Sequence, residues 1–180
     1  QAEDGIRDVE RSRGLGDVYK RQVVYAGDIG CYILGIFEPY DMQNFCISMG
    51  ASIGIGHGIT KVSDQTVVAF VGDSTFFHAG MPPIANLKFN DGNAPLVIVL
   101  NNDITAMTGH QPHPGVGRTG MGEETTRLEI EPIVRACGVK HVKTINPKEK
   151  LREFQETVKE FLEKDEVSVI VVQNPCLFAK

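Results

Sequence analysis

Two polar turns stand out by residue type and spacing. Gly72-Asp73-Ser74 closes the apolar run Val67–Val71, and Asn101-Asn102 closes a second run, Pro95–Leu100. Twenty-six residues, Thr75 to Leu100, lie between the turns, room for one helix and a strand parallel to the first. Adjacent parallel strands would set Asp73 and Asn102 side by side at the carboxyl edge of a sheet, where open α/β sheets bind ligands. One carboxylate and one amide oxygen are hard donors, suited to Mg²⁺ that also holds a diphosphate. A second Gly-Asp turn, Gly27-Asp28-Ile29-Gly30-Cys31, follows the apolar stretch Val23–Ala26. Its glycines would let backbone N–H groups approach a ligand closely.

The elements that must position these turns follow in chain order. Phe37–Asn44 reads as loop, with Pro39 and Asp41 as turn formers. Phe45–Lys61 is apolar and rich in small residues; it reads as loop to Ser52 and then helix to about Val62. Each glycine in that helix costs about 1 kcal/mol of propensity, which makes sense where a backbone packs closely on a neighbour or a ligand. Gly80-Met81-Pro82-Pro83 opens a helix that runs to Phe89, and Asn90-Asp91-Gly92-Asn93 stops it. The N-terminus of that helix would add a favourable field for diphosphate. Pro95–Leu100 is apolar throughout, as a strand buried on both faces should be.

The C-terminal third reads as scaffold. Leu128–Cys137 is a short helix stopped by Gly138, and Val139–Val142 a strand. Asn146, Pro147 and Glu149 are arranged as a helix start, and Leu151, Phe154, Val158, Phe161 and Leu162 form one apolar helical stripe. Val167–Val172 is the last strand. Strands alternating with helices predict one α/β domain: a doubly wound, mostly parallel sheet with helices on both faces.

Composition narrows the class. The 180 residues can bury a core, and the net charge of −5 carries no nucleic-acid footprint. No apolar run reaches membrane-spanning length. Four scattered cysteines, Cys31, Cys46, Cys137 and Cys176, form no C-x-x-C pair, and reduced thiols in the cytoplasm are the default expectation. Residues 1–22 have no apolar periodicity and resemble translated sequencing-adapter DNA, QAEDGIRD followed by SRGLGDVYKRQ. They are set aside as a scar, with 23–180 expected to be a fragment of a longer chain.

Asp103 to Arg127 holds five glycines and two prolines in 25 residues without periodicity. Unstructured connections this long are usually functional or disordered. His110 and His113 lack the third ligand that zinc would need. His110 and Gln111 could instead hydrogen-bond substrate or cofactor, or belong to a solvated loop tip. His57 reads as a core histidine or a catalytic group, and Cys31 as a small buried hydrophobe or a pocket residue.

Gly72-Asp73-Ser74, the interval, and Asn101-Asn102 resemble the thiamine diphosphate motif, with serine where glycine is commoner. Gly27-Asp28-Ile29-Gly30-Cys31-Tyr32, Met49-Gly50-Ala51-Ser52-Ile53-Gly54 and above all the run from Thr105 to Gly115, TAMTGHQPHPG, make Val23 to Pro175 similar to the thiamine-binding part of the large (alpha) subunit of indolepyruvate:ferredoxin oxidoreductases. The resemblance implies that Asp73, Asn102 and the backbone carbonyl of Ile104 bind Mg²⁺. Gly72, Ser74, Thr75 and the Gly27–Cys31 turn would cradle thiamine diphosphate, Ile53 or Met49 would prop it, and Gly50, Ser52, Thr105, Ala106 and Met107 would line it. Cys31, His57, Thr108, His110 and Gln111 would lie nearer the reacting atoms.

The implied reaction is oxidative decarboxylation of an aryl pyruvate to an acyl-CoA, with ferredoxin as acceptor. Iron–sulfur clusters are expected in a downstream domain, the activating glutamate in a separate pyrimidine-binding domain, and a smaller beta or gamma subunit as partner. The fragment alone is expected to be inactive. Two other readings stand beside this one: a non-oxidative 2-oxoacid decarboxylase or acetolactate synthase-type domain, and a non-catalytic α/β module.

Overall fold

The computed structural model describes residues 23–90 and 92–177, so the adapter-like segment 1–22 lies outside the described residues. Six strands form one sheet: β1 (Val24–Gly27), β2 (Phe45–Cys46), β3 (Val67–Gly72), β4 (Leu96–Asn101), β5 (His141–Ile145) and β6 (Ser168–Gln173). Their spatial order is β2-β1-β3-β4-β6-β5, and every pairing is parallel. The helices α1 (Ala51–Val62), α2 (Met81–Phe89), α3 (Ile130–Ala136) and α4 (Leu151–Leu162) make the crossovers. The doubly wound parallel α/β architecture expected from the alternating pattern is the one observed.

Period-2 alternation splits the strands between two cores. Val67, Ala69 and Val71 of β3 point with Val97 and Val99 of β4 and Val169 and Val171 of β6 into a core shared with Ile53, Ile84, Leu87, Ile130 and Val134 of α1, α2 and α3. Val68, Leu96, Ile98 and Ile170 face the other way, onto Val158 and Phe161 of α4. Helices therefore cover both faces, three on one and α4 on the other.

Several boundaries differ from the sequence reading for local reasons. Phe45–Cys46, read as loop, pairs with Ala26 and Gly27 as an edge strand. Cys31–Ile36 forms a 3-10 helix. The helix after β3 does not wait for Gly80. The chain is helical from Asp73, passes through a π-helical turn at Phe76–Gly80, and continues as α2. In that turn Met81 N–H reaches back to the Phe76 carbonyl, five residues away, just ahead of Pro82 and Pro83, which have no N–H to give. Asn146 caps a turn of its own, accepting from Lys148 N–H, and α4 begins only at Leu151. The stripe on α4 narrows accordingly: Val158 and Phe161 are buried while Leu151 and Leu162 face solvent. The strand expected at Val139–Val142 is His141–Ile145, with Val139 buried in the core ahead of it.

Candidate functional site

Pairing of Gly72 with Leu100 brings the ends of β3 and β4 together. Asp73, 3% exposed, stands at that edge. Its Oδ1 accepts the N–H of Ser74 (2.7 Å) and its Oδ2 the N–H of Asn102 (3.0 Å). Asn102 Oδ1 in turn accepts the N–H of Ile104 (3.2 Å). Thr105 donates its hydroxyl hydrogen to Ser74 Oγ at 2.8 Å. Asp73, Ser74, Asn102, Ile104 and Thr105 thus converge across two adjacent strands although they lie far apart in sequence.

The two glycine turns are fastened to each other by Asp28, which is fully buried. Its carboxylate accepts N–H groups from Ile29 (2.8 Å) and Gly50 (2.8 and 2.9 Å), the hydroxyl of Ser52 at 3.0 Å, and the Ser52 N–H at 3.4 Å. Burial pushes this carboxyl above its ordinary range, and those hydrogen bonds offset only part of the shift. Every strong lone-pair direction of Asp28 is already engaged, so it acts on the site by holding the turns. Gly50 has a left-handed backbone (φ +84°), and an added Cβ would sit 2.7 Å from that of Ala79. Its glycine is required by the turn and its close packing.

Two of the expected contact residues lie elsewhere. Ile53 is fully buried within the core, so it offers no surface to a ligand, whereas Met49 is 48% exposed. His57 sits well along α1; the hydroxyl of Thr60, one turn on, reaches the carbonyl of Asn93 near the amino end of β4. The histidine is therefore carried away from the carboxyl edge. Its buried Nε2 has no hydrogen-bond partner, and burial, with Lys61 adding to it, lowers its pKa. Cys31 is exposed at the start of the 3-10 helix.

The long connection is a folded loop. Thr105 N–H bonds the Gln111 carbonyl (3.0 Å), closing a small hairpin with Met107, Thr108 and His110 exposed on it, and Gly109 and His110 both at positive φ. Gln111 turns back on Thr108 through two bonds, at 2.6 and 2.8 Å. Arg127 closes the base of the loop on Asp103 (2.9 Å), and Gln173 at the end of β6 donates to the other Asp103 oxygen (3.0 Å). Beyond this base a cleft of about 420 Å³ lies over α3 and β5; Arg135 and Glu131 on its wall are already paired at 2.8 Å.

Two residues quoted in the motifs were given no role in the site by sequence reasoning. Tyr32 accepts the N–H of Gly72 at 2.9 Å, and burial holds its phenol far above the ordinary range. No periodicity in the loop pointed to it. His113, weighed only as a metal ligand, is buried with Nε2 3.1 Å from Asp73 Oδ2. The available signals were a histidine flanked by prolines in a loop that starts at the end of β4, and its place in the Thr105–Gly115 run.

The chemistry of the donors fits a hard cation carrying a diphosphate: the Asp73 carboxylate lies beside the Asn102 backbone at the start of a helical run, the Asn102 side chain brings an amide oxygen, and backbone N–H groups at a helix start favour anions. Among the described residues no three His, Cys, Asp or Glu side chains form a metal cluster. Fold and site together define a thiamine diphosphate-type domain. The chain belongs to the family of C-terminal TPP-binding domains of thiamine pyrophosphate enzymes, whose model matches residues 28–172.

Within that family its relatives are specific. It is 46% identical over 172 residues to indolepyruvate oxidoreductase subunit IorA of Methanothermobacter marburgensis, covering 96% of this chain and 28% of that one. It is 47% identical over 158 residues to the same subunit from Methanothermobacter thermautotrophicus, covering 88% and 25%. The chain spans about a quarter of the length of these relatives. The 2-oxoglutarate:ferredoxin oxidoreductase from Magnetococcus marinus, solved with 2-oxoglutarate, coenzyme A and succinyl-CoA bound, shares the fold with a TM-score of 0.77 at 17% identity, over 97% of this chain and 60% of that one.

Proposed function

We propose that this chain is the thiamine diphosphate- and Mg²⁺-binding domain of a 2-oxoacid:ferredoxin oxidoreductase that converts aryl pyruvates, indolepyruvate among them, to acyl-CoA. The convergence of Asp73, Asn102 and Ile104 at the joined ends of β3 and β4 carries the reading, and similarity to the IorA subunits supports the substrate class. Asp73, Asn102 Oδ1 and the Ile104 carbonyl would hold the cation. The N–H groups of the Asp73–Thr75 turn not already given to Asp73 would meet the diphosphate, Met49 would stand under the cofactor, and the hairpin bearing Thr108, His110 and Gln111 would face the reacting end. When bound, the cofactor supplies the electron sink for loss of CO₂.

The other half of the site would come from a pyrimidine-binding domain of the full-length chain or its dimer mate. Leu34, Phe37 and Ile47, each about two-thirds exposed on the segments flanking the first glycine turn, offer it an apolar surface. Coenzyme A, ferredoxin and a smaller subunit complete the proposed assembly. Calorimetric titration of the full-length protein with thiamine diphosphate and Mg²⁺ tests the reading: binding should depend on the cation and vanish in Asp73→Ala. Cofactor binding by Asp73→Ala at wild-type affinity would overturn it. Reduction of ferredoxin by indolepyruvate only when coenzyme A is present separates this activity from non-oxidative decarboxylation, which would release CO₂ without an acceptor.

A further inference from the structure

His113 reaches the centre of the site from a loop that the strands do not position. Its side chain is fully buried, and Nε2 lies 3.1 Å from Asp73 Oδ2. At Nδ1 the ring accepts the N–H of Gly115 at 3.1 Å, which leaves the ring proton on Nε2, facing the carboxylate. Nε2 is buried and has no hydrogen-bond partner of regular geometry, with Asp73 Oδ2 the carboxylate oxygen within reach. A buried N–H with one acceptor in reach is placed to donate to it. Phe77 fixes the ring by stacking against it with centroids 5.5 Å apart. Gly115 makes this possible, since a Cβ there would lie 2.5 Å from the Phe77 ring and 3.1 Å from His113 Cε1. The other donors to Asp73, Ser74 and Asn102, are backbone groups set by β3 and β4.

We propose that His113 is a positioning residue for Asp73: its Nε2–H orients the carboxylate for the cation and ties the 103–127 loop to cation occupancy. The inference rests on the reading of Asp73 as the magnesium ligand. A positioning group and a mere loop brace make opposite demands on the side chain. His113→Asn keeps a short acceptor for the Gly115 N–H and loses reach to Asp73. His113→Gln keeps a donor at the reach of Nε2 and loses the local acceptor.

The test is Mn²⁺ titration of the full-length protein in saturating thiamine diphosphate, followed by electron paramagnetic resonance of the unbound ion. His113→Asn should weaken cation binding by about 10- to 100-fold, the usual cost of losing a group that orients a metal ligand, and His113→Gln should stay within about threefold of wild type. Wild-type affinity in His113→Asn, or a loss in His113→Gln as large as in His113→Asn, overturns the proposal. Were His113→Asn not to fold, His113→Gln against the similarly long, donor-free His113→Met decides: equal affinities overturn it, and binding retained by Gln alone supports it. Asp73→Ala is the reference. A wild-type protein that binds no cation overturns both readings, whereas cation binding lost in Asp73→Ala but unchanged in His113→Asn overturns this one alone.

Discussion

At the scale of single residues, the site is built from carboxylates given different tasks by their surroundings. Asp73 meets two backbone N–H groups and one histidine, and keeps its place at the strand edge. Asp28, the same side chain, instead joins two turns because it is fully buried among their donors. His57 shows the same principle in reverse. Burial lowers its pKa below the ordinary 6.5, so the unfolded chain binds more protons than the folded one between the folded-state value and 6.5. Its contribution is therefore fully favourable above the unfolded pKa and is lost as pH falls through that window. His57→Leu should flatten this part of the stability profile. Denaturant unfolding at about pH 5 and about pH 7.5 measures it, and a slope unchanged by the substitution would refute the assignment.

At the scale of elements, the helical run from Asp73 to Phe89 does two jobs. Its first turn presents backbone N–H groups beside Asp73, and its π-helical turn buries Phe76 and Phe77 against each other edge-on, with centroids 5.5 Å apart. Phe76 is fully buried, and Phe76→Ala should cost about 3–5 kcal/mol in chemical denaturation. The glycine that precedes α1 and a glycine within it differ by position. Gly58 faces open space, so Gly58→Ala should raise the stability of the domain by up to about 1 kcal/mol. Gly50→Ala meets both a left-handed backbone and the Ala79 side chain, and should lose more than about 1 kcal/mol. Opposite signs for these two alanines, measured by the same unfolding experiment, distinguish a helix glycine from a turn glycine.

At the scale of the whole molecule, the parallel sheet carries three separately encoded segments to one edge: the first glycine turn after β1, the Asp73 turn after β3 and the loop after β4. No helix among the described residues is long and apolar enough to cross a membrane. Ligand binding at that edge should stabilise the fold as a unit. At a ligand concentration a hundred times Kd, the gain is about 2.7 kcal/mol, visible as a rise in Tm of the full-length protein with thiamine diphosphate and Mg²⁺, and absent in Asp73→Ala. The loop base is a weaker joint. The Arg127–Asp103 pair is partly exposed, so Arg127→Ala should change global stability by no more than about 1 kcal/mol while speeding trypsin cleavage at Arg118. A large drop in Tm instead would show the loop to be part of the cooperative core.

The long apolar strands β3, β4 and β6, the core of the α4 stripe and the interval between Asp73 and Asn102 were legible in the sequence, because period and spacing are local properties that survive into the fold; the two-residue edge strand β2 was too short to show a period. The parallel sheet and the meeting of Asp73 with Asn102 follow from them. What remained hidden depended on contacts between segments distant in sequence. Nothing local distinguished Ile53, buried in the core, from half-exposed Met49, or showed that Asp28 would be consumed by Gly50 and Ser52. Nothing local could say that His113, in a stretch of glycine and proline without periodicity, would fold back onto Asp73 while His110 stayed outside. Side-chain burial and the pairing of a loop with a strand edge are set by the packed whole, and only the tertiary structure decided them.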